Sequence, residues 1–128
     1  MKKVIAILVV VLAFAFQTNA QDNMKKETVK TVALEQTQGE FTQKEIKISE
    51  GTYIFKVTNN NAAKEVGLVL IENGKDGKNT ENHIKNAYVT QMVKQGKTEA
   101  SKPVTLKKGT YQYFCPFNKT PQYKLIVE

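Results

Sequence analysis

Among its 128 residues the chain has one cysteine, Cys115, and one histidine, His83. These are its softest donor and its only imidazole, and their number restricts the chemistry before any fold is considered. A lone thiol cannot close an internal disulfide or cycle as a dithiol. Three roles stay open to it: a small buried apolar side chain, a bridge to another molecule, or a thiolate ligand for a soft metal ion. His83 lies in Glu81-Asn82-His83-Ile84, beside an apolar stripe whose spacing turns the imidazole toward solvent. Met92 falls on that stripe and reads as core, whereas Met24 sits in a polar stretch and reads as exposed. Asn118-Lys119-Thr120 matches a glycosylation acceptor. No Ser, His and Asp set has triad spacing and no phosphate loop occurs, so catalysis is not expected.

The elements that must position these side chains are short. Stretches rich in Val, Ile, Thr, Tyr and Phe alternate with Gly, Asn and Lys, which is strand-and-turn punctuation. Strands are expected at Val29 to Leu34, around Phe41, Ile46 and Ile48, and at Tyr53 to Val57, where Tyr53, Phe55 and Val57 share one face. Val66 to Ile71 reads as one apolar strand after the Asn59-Asn60-Asn61 loop, and Glu72 to Asn79 as a long surface loop. Ile84, Ala87, Tyr88 and Met92 recur at helical spacing, which predicts a short side helix over 81–94 with Thr80 as its N-cap. Pro103 to Lys107 and Thr110 to Phe114 read as the next strand pair, and Tyr123 to Val127 closes the domain. Ile48 to Phe55 is echoed by Leu106 to Tyr113, each copy a strand, a charged turn closed by Gly and an aromatic strand. Equivalent hairpins of that kind suit an all-β Greek-key sandwich.

The run Val104-Thr105-Leu106-Lys107-Lys108-Gly109-Thr110-Tyr111-Gln112-Tyr113-Phe114-Cys115-Pro116 resembles the closing segment of the cupredoxins, in which such a strand delivers the copper thiolate. Gly51 to Asn59 is similar to the strand that precedes the family's first histidine. The resemblance spans about 85 residues, from near Thr37 to the end. It implies a Greek-key cupredoxin-like β-sandwich or barrel, with copper handling or electron transfer as the family's general work. An ordinary blue-copper centre needs two imidazoles and a thiolate in a plane, with a weak axial Met. In the family a histidine and then the Met follow the cysteine closely. Here Phe117, Asn118, Lys119, Thr120 and Pro121 fill that loop, and no Met comes after Cys115. Glu65, in Ala62-Ala63-Lys64-Glu65-Val66, aligns with the family's first histidine. One histidine in the whole chain rules out a two-imidazole site built from a single copy. The resemblance leaves Cys115 and Glu65 as candidate metal ligands, with Lys64 and Lys119 beside them favouring an anion.

Lys2 and Lys3 precede thirteen uncharged residues, Val4 to Phe16, and a polar end at Gln17 to Ala20. That layout predicts a signal peptide over 1–20, a flexible lead-in over 21–27 and one domain over 28–128. A periplasmic or secreted protein without a membrane anchor follows. Without Lys2 and Lys3 the net charge falls from +7 to +5, carried wholly by Lys, because the chain contains no Arg. Bidentate phosphate recognition depends heavily on Arg, so nucleic acid is not an expected partner. The expected function is that of a non-catalytic binding or accessory module with a decayed type 1 copper site, meeting a protein partner or a soft metal ion. The alternatives are a copper-binding or electron-transfer protein with a non-standard site centred on Cys115, and a structural matrix component.

Overall fold

The computed structural model describes residues 28–128. The expected signal peptide, the lead-in and Met24 lie outside the described residues. Alternating apolar residues set the first sheet. Strand β1 (Val29–Thr37) buries Val32, Leu34 and Gln36, and β4 (Gly51–Asn59) buries Tyr53, Phe55, Val57 and Asn59. The two run parallel, with Val32 opposite Phe55 and Leu34 opposite Val57, so one face of both carries the apolar set. The short strand β2 (Glu40–Phe41) folds back on the end of β1. On its far side β4 takes β8 (Thr98–Ala100) and β9 (Val104–Leu106), which completes a five-stranded sheet.

The second sheet has the order β3 (Glu45–Ile48), β11 (Tyr123–Val127), β10 (Gly109–Phe114) and β6 (Val69–Glu72). It packs face to face with the first over Phe41, Phe55, Leu70, Tyr113 and Leu125. A two-stranded ribbon, β5 (Glu65–Val66) with β7 (Val93–Lys94), caps one end. The expected all-β sandwich is therefore present. Among the described residues no helix is long and apolar enough to cross a membrane.

The predicted side helix does not form. Residues 81–94 contain a single 3₁₀ turn at Lys85–Ala87 and the strand β7, after a first 3₁₀ turn at Thr80–Asn82. Asn79, not Thr80, is the cap, its Oδ1 accepting the Glu81 N–H at 3.0 Å. The stretch holds Asn, His, Tyr, Val and Thr, all middling helix formers, and tertiary bonds take its backbone instead. The Ile84 N–H reaches the Leu70 carbonyl and the Thr90 N–H the Ala100 carbonyl. The helical spacing thus recorded side chains that dip into the core one at a time from an irregular segment.

Two further expectations are corrected. Val66 to Ile71 is not one strand, because Gly67 and Leu68 break it between the ribbon and the second sheet. The two echoed segments are not hairpins either. β3 and β4 lie in opposite sheets, as do β9 and β10, so each copy is an arch that carries the chain across the sandwich. The arches are alike in their bonds: the Tyr53 hydroxyl donates to the Ser49 carbonyl at 2.7 Å, and the Tyr111 hydroxyl donates to the Lys107 carbonyl at 3.0 Å. They also sit together, with Leu106 opposite Gly51 and the Lys108 N–H donating to Glu50. Short strands that switch sheets at corners of this kind are how sandwiches close.

Phe41, Tyr113 and Tyr123 join β2 to the second sheet, the Phe41 ring standing edge-on to both tyrosines at 5.2 and 5.8 Å. The Tyr113 hydroxyl donates to the Gln43 carbonyl. Burial, then the neighbouring Tyr123 and Glu45, push the Tyr113 phenol well above its ordinary range. The folded chain therefore holds this proton at pH values where the unfolded chain releases it. The resulting stabilisation is complete below about pH 10 and is lost as the pH rises beyond that. Tyr113→Phe should cost about 1 kcal/mol at pH 7.5 through the lost hydrogen bond, yet lose less further stability than the parent at pH 11. Urea midpoints at the two pH values measure this, since lysine titration is common to both proteins. Parallel losses would show that Tyr113 does not control the alkaline limb.

Candidate functional site

Cys115 follows β10 directly, and the strand carries it to the end of the sandwich capped by the β5/β7 ribbon. Its side chain is 0% exposed, and its Sγ accepts the Gly67 N–H at 3.4 Å. The loop that follows closes on itself. The Cys115 N–H donates to Thr120 Oγ1 at 2.9 Å, and the Thr120 N–H returns to the Cys115 carbonyl at 3.2 Å. Lys119 completes the turn with φ 54°, a left-handed conformation.

A second set of bonds pins this loop to β1. Asn118 Nδ2 donates to Gln36 Oε1 at 3.1 Å and to the Thr37 carbonyl at 2.7 Å, while its Oδ1 accepts the Gly39 N–H at 2.9 Å. Gln36, fully buried, donates from Nε2 to the Gly67 carbonyl at 2.8 Å. Gly67 is therefore held from both sides, through its N–H by the thiol and through its carbonyl by Gln36. Both hydrogens of the Asn118 amide are committed and the side chain is buried, so the glycosylation match is a structural residue in the folded chain. Nothing in the sequence pattern distinguishes Gln36 and Asn118 from the many other exposed-looking amides.

Above Gly67 lies a pocket of 330 Å³ lined by Leu68, Tyr88, Val89, Met92 and Phe117 together with His83. A methyl group built on Gly67 would touch Met92 Sδ and Phe117 Cε2, each at 3.8 Å, so both side chains lie against the pocket floor. Phe117 is 61% exposed, a large ring left on the surface. Met92, expected in the core, is half-buried on this wall.

His83 is not the solvent-facing residue expected from the periodicity. It is half-buried, with Nε2 2.7 Å from the Gly77 carbonyl and Nδ1 2.6 Å from the Tyr88 hydroxyl. A carbonyl only accepts, so Nε2 donates to Gly77, and Nδ1 and the Tyr88 hydroxyl share the second bond. The histidine thus ties the loop after β6 to the pocket wall. The helical reading missed this because it placed the ring by a geometry the segment does not adopt.

Glu65 is exposed on β5, two residues before Gly67 and opposite Lys94 of β7. Lys64 and Lys119 are exposed as well. Among the described residues no three His, Cys, Asp or Glu side chains come together in a way that could hold a metal ion. The donors do not fit a planar centre of two imidazoles and a thiolate: the only imidazole has both nitrogens engaged elsewhere, and the thiol is closed over by Gly67.

A two-sheet sandwich with a buried cysteine directly after β10 is the arrangement that the cupredoxin resemblance implies. Residues 4–127 match the family described as the cupredoxin-like domain, and the chain belongs to that family. Among solved structures it is similar to auracyanin B, with 18% identity, a TM-score of 0.60, and coverage of 80% of this chain and 91% of that one. Auracyanin A, a "blue" copper protein from Chloroflexus aurantiacus, gives 19% identity, a TM-score of 0.58, and coverage of 79% and 100%. An azurin from Methylomonas sp. strain J gives 14%, 0.53, and coverage of 77% and 98%. At these identities the likeness is one of fold. No curated protein matches the chain.

Proposed function

We propose that this chain is an exported, non-catalytic binding or accessory module that uses the cupredoxin fold without a type 1 copper centre. The observation that carries the reading is the state of Cys115, wholly buried with its sulfur taken by the Gly67 N–H. A cysteine so placed serves as a small packing residue, and the apolar pocket above it is the surface offered to a partner. The charged start and apolar run of the first twenty residues support export to the periplasm or beyond. An all-lysine positive charge speaks against nucleic acid as that partner.

Copper titration tests the reading. The intense colour of blue-copper proteins comes from charge transfer between a thiolate and Cu(II) held in a plane with imidazoles, and the second imidazole is missing here. Purified protein titrated with Cu(II) should develop no strong visible band, and Cys115→Ser should leave the titration unchanged. A stable blue species at one copper per chain, abolished by Cys115→Ser, would overturn the reading.

A second reading, a Cu(I) site on Cys115 with Glu65, draws support from one feature: the Met92 thioether and the Cys115 sulfur both lie against Gly67, two residues from Glu65. Soft sulfur donors favour the reduced ion. Cu(I) held against a competing chelator, and lost in both Cys115→Ser and Glu65→Ala, would promote this reading over the first.

A further inference from the structure

We infer that the pocket over Gly67 and the lysine-lined recess beside it form one site for a small amphipathic anion, a carboxylate carried on a compact aromatic body. The inference rests on the proposed reading of this end of the sandwich as a binding surface, and it names the chemistry of the ligand.

The pocket itself selects for an apolar group. Its side chains are hydrocarbon, aromatic or thioether apart from His83 and Tyr88, and those two bond to the Gly77 carbonyl and to each other. Both polar side chains already have partners inside the protein, and the other lining side chains carry no N–H or O–H. The 330 Å³ volume suits a single ring with a short arm. Met92 Sδ and the Phe117 ring, both against the floor, are soft partners that gain from contact with an aromatic face or edge.

Charge is read next door. Met92 also lines a second recess, of 450 Å³, formed with Gln91, Lys94, Lys97 and Glu99. The Lys97 N–H donates to the Lys94 carbonyl at 2.9 Å, closing a tight turn with Gly96 at φ 77°, which sets the two lysines at its two ends. Asn59 fixes that turn, accepting the Gly96 N–H at 2.8 Å and donating its own N–H to the Lys97 carbonyl at 3.0 Å. Neither ammonium belongs to a salt bridge among the described residues. The one carboxylate of the recess, Glu99, accepts the Gln91 amide at 2.8 Å. The recess thus sets two lysines against one carboxylate already bonded to Gln91, and Lys94 makes no ion pair with Glu65 across the ribbon. Met92 is shared with the slot, and an apolar body in the slot with an anionic group toward the recess is the occupant this arrangement suits.

Phenylacetate and its neutral isostere phenylacetamide are the probes, titrated into isotope-labelled protein and followed by amide chemical shifts. Phenylacetate should shift Gly67, Val89 and Phe117 together with Lys94 and Lys97, and bind more tightly than the amide. The double variant Lys94→Gln/Lys97→Gln should weaken phenylacetate by about fivefold, the scale of exposed ion pairs, and leave phenylacetamide unchanged. Met92→Ala should weaken both probes. Equal affinities for acid and amide, or shifts confined to the lysine turn, would overturn the inference, as would no shift with either probe. The copper titration is a separate readout, so either conclusion can fail without the other.

Discussion

In the native protein, Cys115 should react with iodoacetamide on the order of a thousandfold more slowly than in the urea-unfolded chain at the same pH. The thiol has no exposed surface, and its sulfur is covered by the Gly67 backbone. Reaction must wait for the loop of residues 115–120 to lift away from Gly67. For fast reclosing, the slowing equals the inverse of the open population. Local openings cost between nothing and the global stability of about 5–15 kcal/mol, and an opening of about 4 kcal/mol corresponds to a factor of roughly 10³. The loop is closed on itself at Thr120 and pinned at Asn118, so its opening belongs well above the low end of that range. Mass spectrometry of timed alkylation, native against unfolded, gives the number directly. A native rate within tenfold of the unfolded one would mean an accessible thiol, and would favour Cu(I) on Cys115 over a packing role.

The same environment shows why the fold was more legible than the site. Alternation in β1 and β4 is a property of neighbouring residues, and burial of one face follows from it without knowledge of the partner strand. The aromatic strand ending in Cys115 was legible for the same reason. Two arches were misread as hairpins because a strand, a glycine turn and a strand look alike in sequence whether the second strand returns to the same sheet or crosses to the other. The distinction lies in partners far along the chain, Val104 with Tyr53 and Tyr111 with Leu125. The helix was misread because residues that recur every three or four positions also suit a chain that winds along a sandwich end, with its backbone bonds going to Leu70 and Ala100. The pocket was invisible for a related reason. Its wall is assembled from four separate stretches, around Leu68, His83, Met92 and Phe117, and no local pattern links them.

Asn118→Ala should lower stability by about 3 kcal/mol, which for a domain of this size is on the order of 15 °C in Tm. The substitution removes three hydrogen bonds and leaves Gln36 Oε1 facing nothing at a position with no solvent access. An orphaned buried acceptor costs about 1–3 kcal/mol by itself, and the lost bonds to Thr37 and Gly39 add to it. Gln36 cannot rescue the gap by turning its amide, because Nε2 is already needed by the Gly67 carbonyl and the exchange would set oxygen against oxygen. That constraint makes Asn118→Asp the sharper test. The aspartate keeps its shape and still accepts the Gly39 N–H, but it replaces both N–H donors with a charged oxygen aimed at Gln36 Oε1 and the Thr37 carbonyl. At pH 7 it should be at least as damaging as alanine despite filling the space, and it should recover in part at low pH, where a protonated carboxyl can donate one bond. In both variants Cys115 alkylation should accelerate, since the loop that shields the thiol is the one Asn118 holds. Urea unfolding followed by circular dichroism, with timed alkylation on the same samples, measures the two effects together. Both variants lying within about 0.5 kcal/mol of the parent, the range of ordinary surface changes, would show that the loop is held by something other than this amide network.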